Sequence, residues 1–154
     1  MVEVIRHDRG TGWVAEHVAA LVETHRPLAV ILDGGGAAQS LIPDLETRAV
    51  KLTLVTAKEH AAAAGHLFDL VCDQRLVHLG QHPLDAAVRG ATKRPLGGAW
   101  AWNRATSGVD LCPLVAVTLA LLVEATVIGL VGSVIGLFSG VGLAVGLRSL
   151  LRPQ

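Results

Sequence analysis

The sequence predicts an α/β domain, and three observations carry that expectation. Strand-like and helix-like segments alternate along residues 1–122, an order that builds helices onto a largely parallel or mixed central sheet. One segment, Leu28 to Leu32 (LAVIL), is apolar throughout, as a strand covered on both faces would be. It runs straight into Asp33 and then Gly34-Gly35-Gly36. Open α/β sheets place ligands at such a position, just beyond the carboxyl end of a strand.

The elements follow in order. Val2 to His7 alternates in polarity and predicts a strand. Asp8 to Gly12 (DRGTG) predicts a turn. Trp13 to Thr24 carries apolar residues at 14, 18, 21 and 22, the spacing of an amphipathic helix. Pro27 closes the linker to the LAVIL strand. Ala37 to Leu41 predicts a short helix or turn that Pro43 stops. Val50 to Thr56 (VKLTLVT) alternates as a strand, and Ala57 to Cys72 predicts a long helix with four consecutive alanines. Leu76 to Leu79 reads as a short extended piece and Pro83 to Val88 as a short helix. Ala99 to Asn103 predicts a strand with Trp100 and Trp102 on one face, where core packing and base stacking are both open roles. A final apolar helix begins after Asp110, with Pro113 in its first turn, where proline removes no intrahelical hydrogen bond.

Composition bounds the function. The chain has 154 residues, enough for one domain with a real core. Thirteen basic residues balance thirteen acidic ones, which excludes the global positive field of many nucleic-acid-binding proteins. Any DNA contact must come from a local patch. Arg89, Lys93 and Arg94 form the dense basic cluster, which reads as a solvated face or as a set of phosphate contacts. Cys72 and Cys112 show no metal-ligand spacing and read as reduced core thiols. They and the charged N-terminus, MVEVIRHDRG, lead to a cytoplasmic expectation with no signal peptide.

Two carboxylates stand out by position. Asp33 follows a strand and precedes glycines that let a ligand approach the backbone; the alternative role is a turn residue. The GGG run carries no Lys-Ser/Thr and is not G-x-G-x-x-G, which argues against a P-loop and a dinucleotide fingerprint. Asp110 sits at a helix mouth, favoured there by the helix dipole. It reads as an N-cap or as a ligand. Converging on one edge of a sheet, the two could hold Mg²⁺ or Mn²⁺ for phosphodiester hydrolysis. Such two-metal sites use three or four acids, so this one is incomplete. His60 and His66, six positions apart on the long helix, do not share a face and read as solvated or partly buried side chains.

Several stretches together resemble a known family. LDAAVRGATKRPLGGAWAW (84–102), then VD and PLVAVTLALL (113–122), is similar to the end of the large terminase subunit of tailed phages. VILDGGG (30–36) matches the segment in which the family's metal-binding acid follows a strand, at Asp33. VDLCPLVAVTLAL (109–121) matches the segment carrying a second acid before the last helix, at Asp110. RGTGWVAEHVAALV (9–22) resembles a family helix, and PLGGAWAW (95–102) its Trp-bearing strand. The resemblance covers roughly residues 2–122 and implies an RNase H-like mixed sheet flanked by helices. It also implies a Mg²⁺- or Mn²⁺-dependent endonuclease that cuts double-stranded DNA during packaging. Asp33 and Asp110 would be catalytic metal ligands, with Arg89, Lys93 and Arg94 near phosphate. Implied partners are double-stranded DNA, the phage portal, or a chain supplying missing strands.

The chain departs from that pattern in three places. The family's further acid on its first nuclease strand has no counterpart, no Walker A motif is present, and Gly98 stands where an acid is common. The resemblance therefore implies a truncated, weakly active or inactive nuclease.

Residues 123–154 form a separate expectation. Ala125 to Leu147 holds 23 residues without a charge, long enough to span a bilayer as a helix. Gly132, Gly136 and Gly140 recur at a spacing of four, a pattern of packed membrane helices. Arg148 and Arg152 after the segment run against the usual orientation for a domain kept in the cytoplasm. The alternative function is thus a small membrane-associated or self-assembling protein whose tail carries the activity.

Overall fold

The apolar run that starts at Leu28 becomes β1, Val30–Asp33. Leu28 itself is 86% exposed and lies outside the strand. The structure, a computed structural model, describes residues 1–122. The tail segment 125–147, expected as a membrane span or oligomerising helix, lies outside the described residues. Among the described residues no helix is long and apolar enough to cross a membrane.

β1 pairs in parallel with β2, Leu52–Val55, in a register that sets Val30 opposite Leu52 and Asp33 opposite Val55. Parallel neighbours need a crossover. Here it is a 3₁₀ turn, Ala37–Leu41, and the short helix α2, Ile42–Thr47. Pro43 does not stop a helix, as the sequence suggested; it lies in the first turn of α2, where its missing N–H costs nothing. Helix α1, Val14–His25, covers this unit. Ala15, Leu32, Leu45 and Val50 form its buried centre.

A second apolar cluster gathers the remaining elements. Helix α3, Ala57–Cys72, starts with a capping box in which Thr56 and Glu59 satisfy each other's backbone N–H groups. Helix α4, His82–Gly90, follows, then the antiparallel hairpin of β3, Lys93–Leu96, and β4, Ala99–Trp102. Gly97, with φ of 59°, takes the left-handed position at the hairpin turn. Residues 112–122 are helical (α5) and bury most of their length, including Leu114, Val117 and Leu121. Thr118 is fully buried but satisfied: it accepts from Trp102 Nε1 at 2.9 Å and donates to the Leu114 carbonyl at 2.7 Å.

The mixed α/β class is as expected, but its sheet is different. The described strands form two two-stranded sheets, β1–β2 and β3–β4, rather than one. Val2 to His7 is not a strand; Val2 makes one isolated bridge, to His78. The Gln81 side chain takes a strand partner's place at Val4, accepting from its N–H at 2.7 Å and donating to its carbonyl at 2.8 Å. Lys93 to Leu96 is a strand that the sequence hid, since two cations and Pro95 obscure any alternation.

Candidate functional site

The in-register ending of β1 and β2 creates the site. Because Asp33 lies opposite Val55, the helix that follows β2 begins beside the carboxylate. His60, one turn into α3, then faces Asp33, with Nδ1 at 3.6 Å from Oδ2. Arg104, in the turn after β4, reaches in from the other sheet and places Nη2 at 2.5 Å from the same oxygen. The other oxygen, Oδ1, accepts the Gly35 N–H at 3.0 Å. The Gln39 side chain closes the loop by donating to the Gly34 carbonyl.

The glycines are there for room. A Cβ on Gly34 would meet the Val55 carbonyl at 3.1 Å. One on Gly36 would lie 2.7 Å from Asp33 Oδ2 and 2.6 Å from Arg104 Nη1. The loop therefore wraps the ion pair with backbone alone.

Burial gives this cluster its electrostatic character. Asp33 and His60 are each 5% exposed, whereas the Arg104 side chain is 37% exposed. Burial pushes the Asp33 carboxyl toward protonation, but the Gly35 N–H and the Arg104 guanidinium outweigh it and hold the pKa below the usual carboxylate range. Burial also lowers the pKa of His60; the Asp33 charge opposes that shift, and Arg104 and Arg94 add to it. Asp33 is thus ionised and His60 neutral at pH 7. The His60 Nε2 atom is buried with no hydrogen-bond partner.

Asp110 is built differently. Its Oδ1 accepts the Cys112 N–H at 2.8 Å, so it does cap the start of α5, and its Oδ2 lies 3.0 Å from His7 Nε2. The Cys112 contact leads the interactions that lower its pKa. Burial, then the Asp110 charge, pushes the Cys112 thiol up to about 11, so it stays protonated and is no nucleophile at neutral pH. Asp33 and Asp110 share no hydrogen-bonding partner in this structure. Arg104 is bonded to Asp33, and its charge also reaches Cys112. Among the described residues no group of three or more His, Cys, Asp or Glu is set to hold a metal.

The three basic residues separate. Arg89 ends α4 and rims a groove of about 480 Å³ between α3, α4 and the hairpin. Lys93, opposite Trp102 in the hairpin, lays its ammonium over Phe68 at 3.7 Å and Trp100 at 4.2 Å. Arg94, one residue on, pairs with Ala101 on the other face, and its charge reaches His60. Trp100 and Trp102 do share a face, edge to face at 4.9 Å between centroids.

No protein-family model, curated protein or solved structure matches the chain.

Two residues of this cluster escaped the sequence. The helix spacing of His60 against His66 was the wrong guide; the telling signal was its place one turn after a strand that ends level with Asp33. Arg104 lies in a turn with no periodicity, and nothing in the sequence pairs it with Asp33.

Proposed function

We propose that this chain is a nuclease-type domain related to the terminase large subunit, acting on the phosphodiester backbone of double-stranded DNA with a divalent metal. The observation that carries the reading is the Asp33 centre: an ionised, buried carboxylate at the carboxyl end of a parallel strand, wrapped by glycines and flanked by a neutral histidine and an arginine. The finer fold assignment, RNase H-like, belongs to the same proposal. It finds support in the parallel β1–β2 pair with helices packed on it. A two-stranded sheet is marginal by itself, and β1 and β2 each have an edge with no partner strand among the described residues, which suits addition of further strands.

The residues fit one ion better than two. Asp33 offers an oxygen and His60 a nitrogen, while Asp110 is engaged by His7 and Cys112. A bound ion would supply an activated water and stabilise the leaving oxygen. Around it, Gly34 and Gly36 let the loop close on the Asp33–Arg104 pair with no Cβ in the way. Arg104 places positive charge on the carboxylate, Arg94 places it near His60, and Arg89 adds another at the end of α4. A second acid would complete the site from outside this cluster, which accords with weak activity of the chain alone.

Cleavage of supercoiled plasmid in Mn²⁺ tests the proposal. Nicking that Asp33→Ala abolishes, with the fold intact by circular dichroism, is the expected result. Folded wild-type protein that leaves the plasmid supercoiled would overturn it.

A further inference from the structure

We infer that helix α4 is the centre of a two-fold interface whose occupant is a second copy of this chain, packed antiparallel so that Asp85 of each copy meets Arg89 of the other. The inference stands apart from the Asp33 centre and from DNA cleavage.

The first support is a pair of charges left open. Asp85 and Arg89 stand four residues apart on α4, at the spacing of an intrahelical ion pair. They do not form one. Among the described residues neither side chain makes a hydrogen bond or an ion pair, although Asp85 is half-buried. Both residues line a polar depression of about 660 Å³ beside Ala86, and both line the apolar groove of about 480 Å³ beside Val88. Ala86 and Val88 fall on opposite flanks of the Asp85–Arg89 line. The helix is therefore a charged ridge between two depressions.

The second is the order of the charges. When α4 packs antiparallel about a two-fold axis level with Ala87, Arg89 of the second copy comes opposite Asp85, and the reverse. One operation meets both charges twice. Ligands of a single sign fit worse, since a phosphate that reached Arg89 would also meet Asp85. A second copy presents both signs in the required order.

The third is the apolar flank. Phe68, Val71 and Val88 line the groove and are 43%, 54% and 55% exposed, over a floor of Leu84, Leu114 and Val117. The same two-fold keeps each flank of α4 on its own side, so the groove of one copy faces the groove of the other. Apolar surface then closes on apolar surface, with the charged pairs beside it.

Sedimentation of the full chain tests the inference, because a reversed charge can be rescued from the other side of the interface. The samples are wild type, Asp85→Arg, Arg89→Asp, an equimolar mixture of these two variants, and the chain carrying both substitutions. Wild type is expected to dimerise. Each single reversal sets like charges opposite one another at two places and should weaken self-association about tenfold or more. In the mixture one chain carries two cations on the ridge and the other two anions, so a heterodimer should form. The doubly reversed chain should dimerise again. Circular dichroism monitors folding. If a single reversal unfolds the chain, Val88→Glu decides, since its side chain already reaches solvent and the added charge should weaken the dimer. Wild type that remains a monomer overturns the inference. So does self-association that neither reversal weakens, as assembly through residues 123–154 would give. Weakening by the single reversals with no rescue in the mixture also overturns it, and would leave Arg89 to a different partner.

Discussion

Asp33 shows how one residue can be held by several weak demands at once. It ends a strand, accepts the Gly35 N–H, pairs with Arg104 and faces His60. Replacing it with alanine strands the Gly35 N–H and leaves a guanidinium without its counter-charge, a cost of about 2 kcal/mol given the partial exposure of Arg104. Chemical denaturation of Asp33→Ala beside wild type measures that loss. The same residue sets an acid dependence. Its folded pKa lies below the unfolded value of about 3.9, so its stabilisation is complete above that pH and disappears as pH falls through the folded value. The fall in melting temperature below about pH 4 should therefore be shallower in Asp33→Asn than in wild type. Equal acid limbs in the two proteins would show that Asp33 is not the anchor described. At this scale the sequence was informative where position alone decides: an acid followed by three glycines marks itself. His60 and Arg104 gave no such mark, because their roles depend on which elements come together and not on their neighbours in sequence.

Helix α3 links that residue to the rest of the fold. Thr56 and Glu59 cap it, and the cap fixes where His60 stands one turn later. Thr56→Ala should cost about 1 kcal/mol through the lost cap. Gly65, inside α3 with open space where a Cβ would go, should behave in the opposite sense. Gly65→Ala should stabilise by about 0.5–1 kcal/mol, because alanine has the higher helix propensity. Thermal melts of both variants check the pair of signs. Helices were the legible elements: α1, α3 and α4 lie within two residues of their expected ends, since their apolar spacing and caps are local signals. Strands were less so. Val2 to His7 alternates as a strand should, yet the Gln81 amide rather than another strand meets it. Lys93 to Leu96 looks like a charged linker, yet pairs with β4 because Trp100 and Trp102 demand a partner face. Pairing is a long-range property, and alternation alone does not report it.

For the molecule as a whole, the two apolar clusters meet different structural conditions. One is centred on α5 and α3, with helical backbone satisfied within each helix. The other leans on the β1–β2 pair, whose outer edges have no partner strand among the described residues. Local stability follows contact and burial, so amide hydrogen exchange should be slowest in residues 112–121 and in the middle of α3, and faster in β2. Protection in β2 equal to that of α5 would mean that its open edge is covered in solution, by a second copy or another strand. The α/β class was legible because it rests on the order of elements. The division of the strands into two small sheets was not, because no local pattern tells a strand which neighbour it lacks.

The claim on which the rest depends is that the Asp33 carboxylate is the centre of a metal-dependent site. Titrating Mn²⁺ into ¹⁵N-labelled protein tests it most directly, because a bound paramagnetic ion broadens the amides around it. Broadening that begins at Gly34 to Gly36, His60 and Arg104, and that Asp33→Asn removes, is the expected result. Broadening that starts elsewhere, at Asp8 or Asp44 for example, or that persists unchanged in Asp33→Asn, would contradict it.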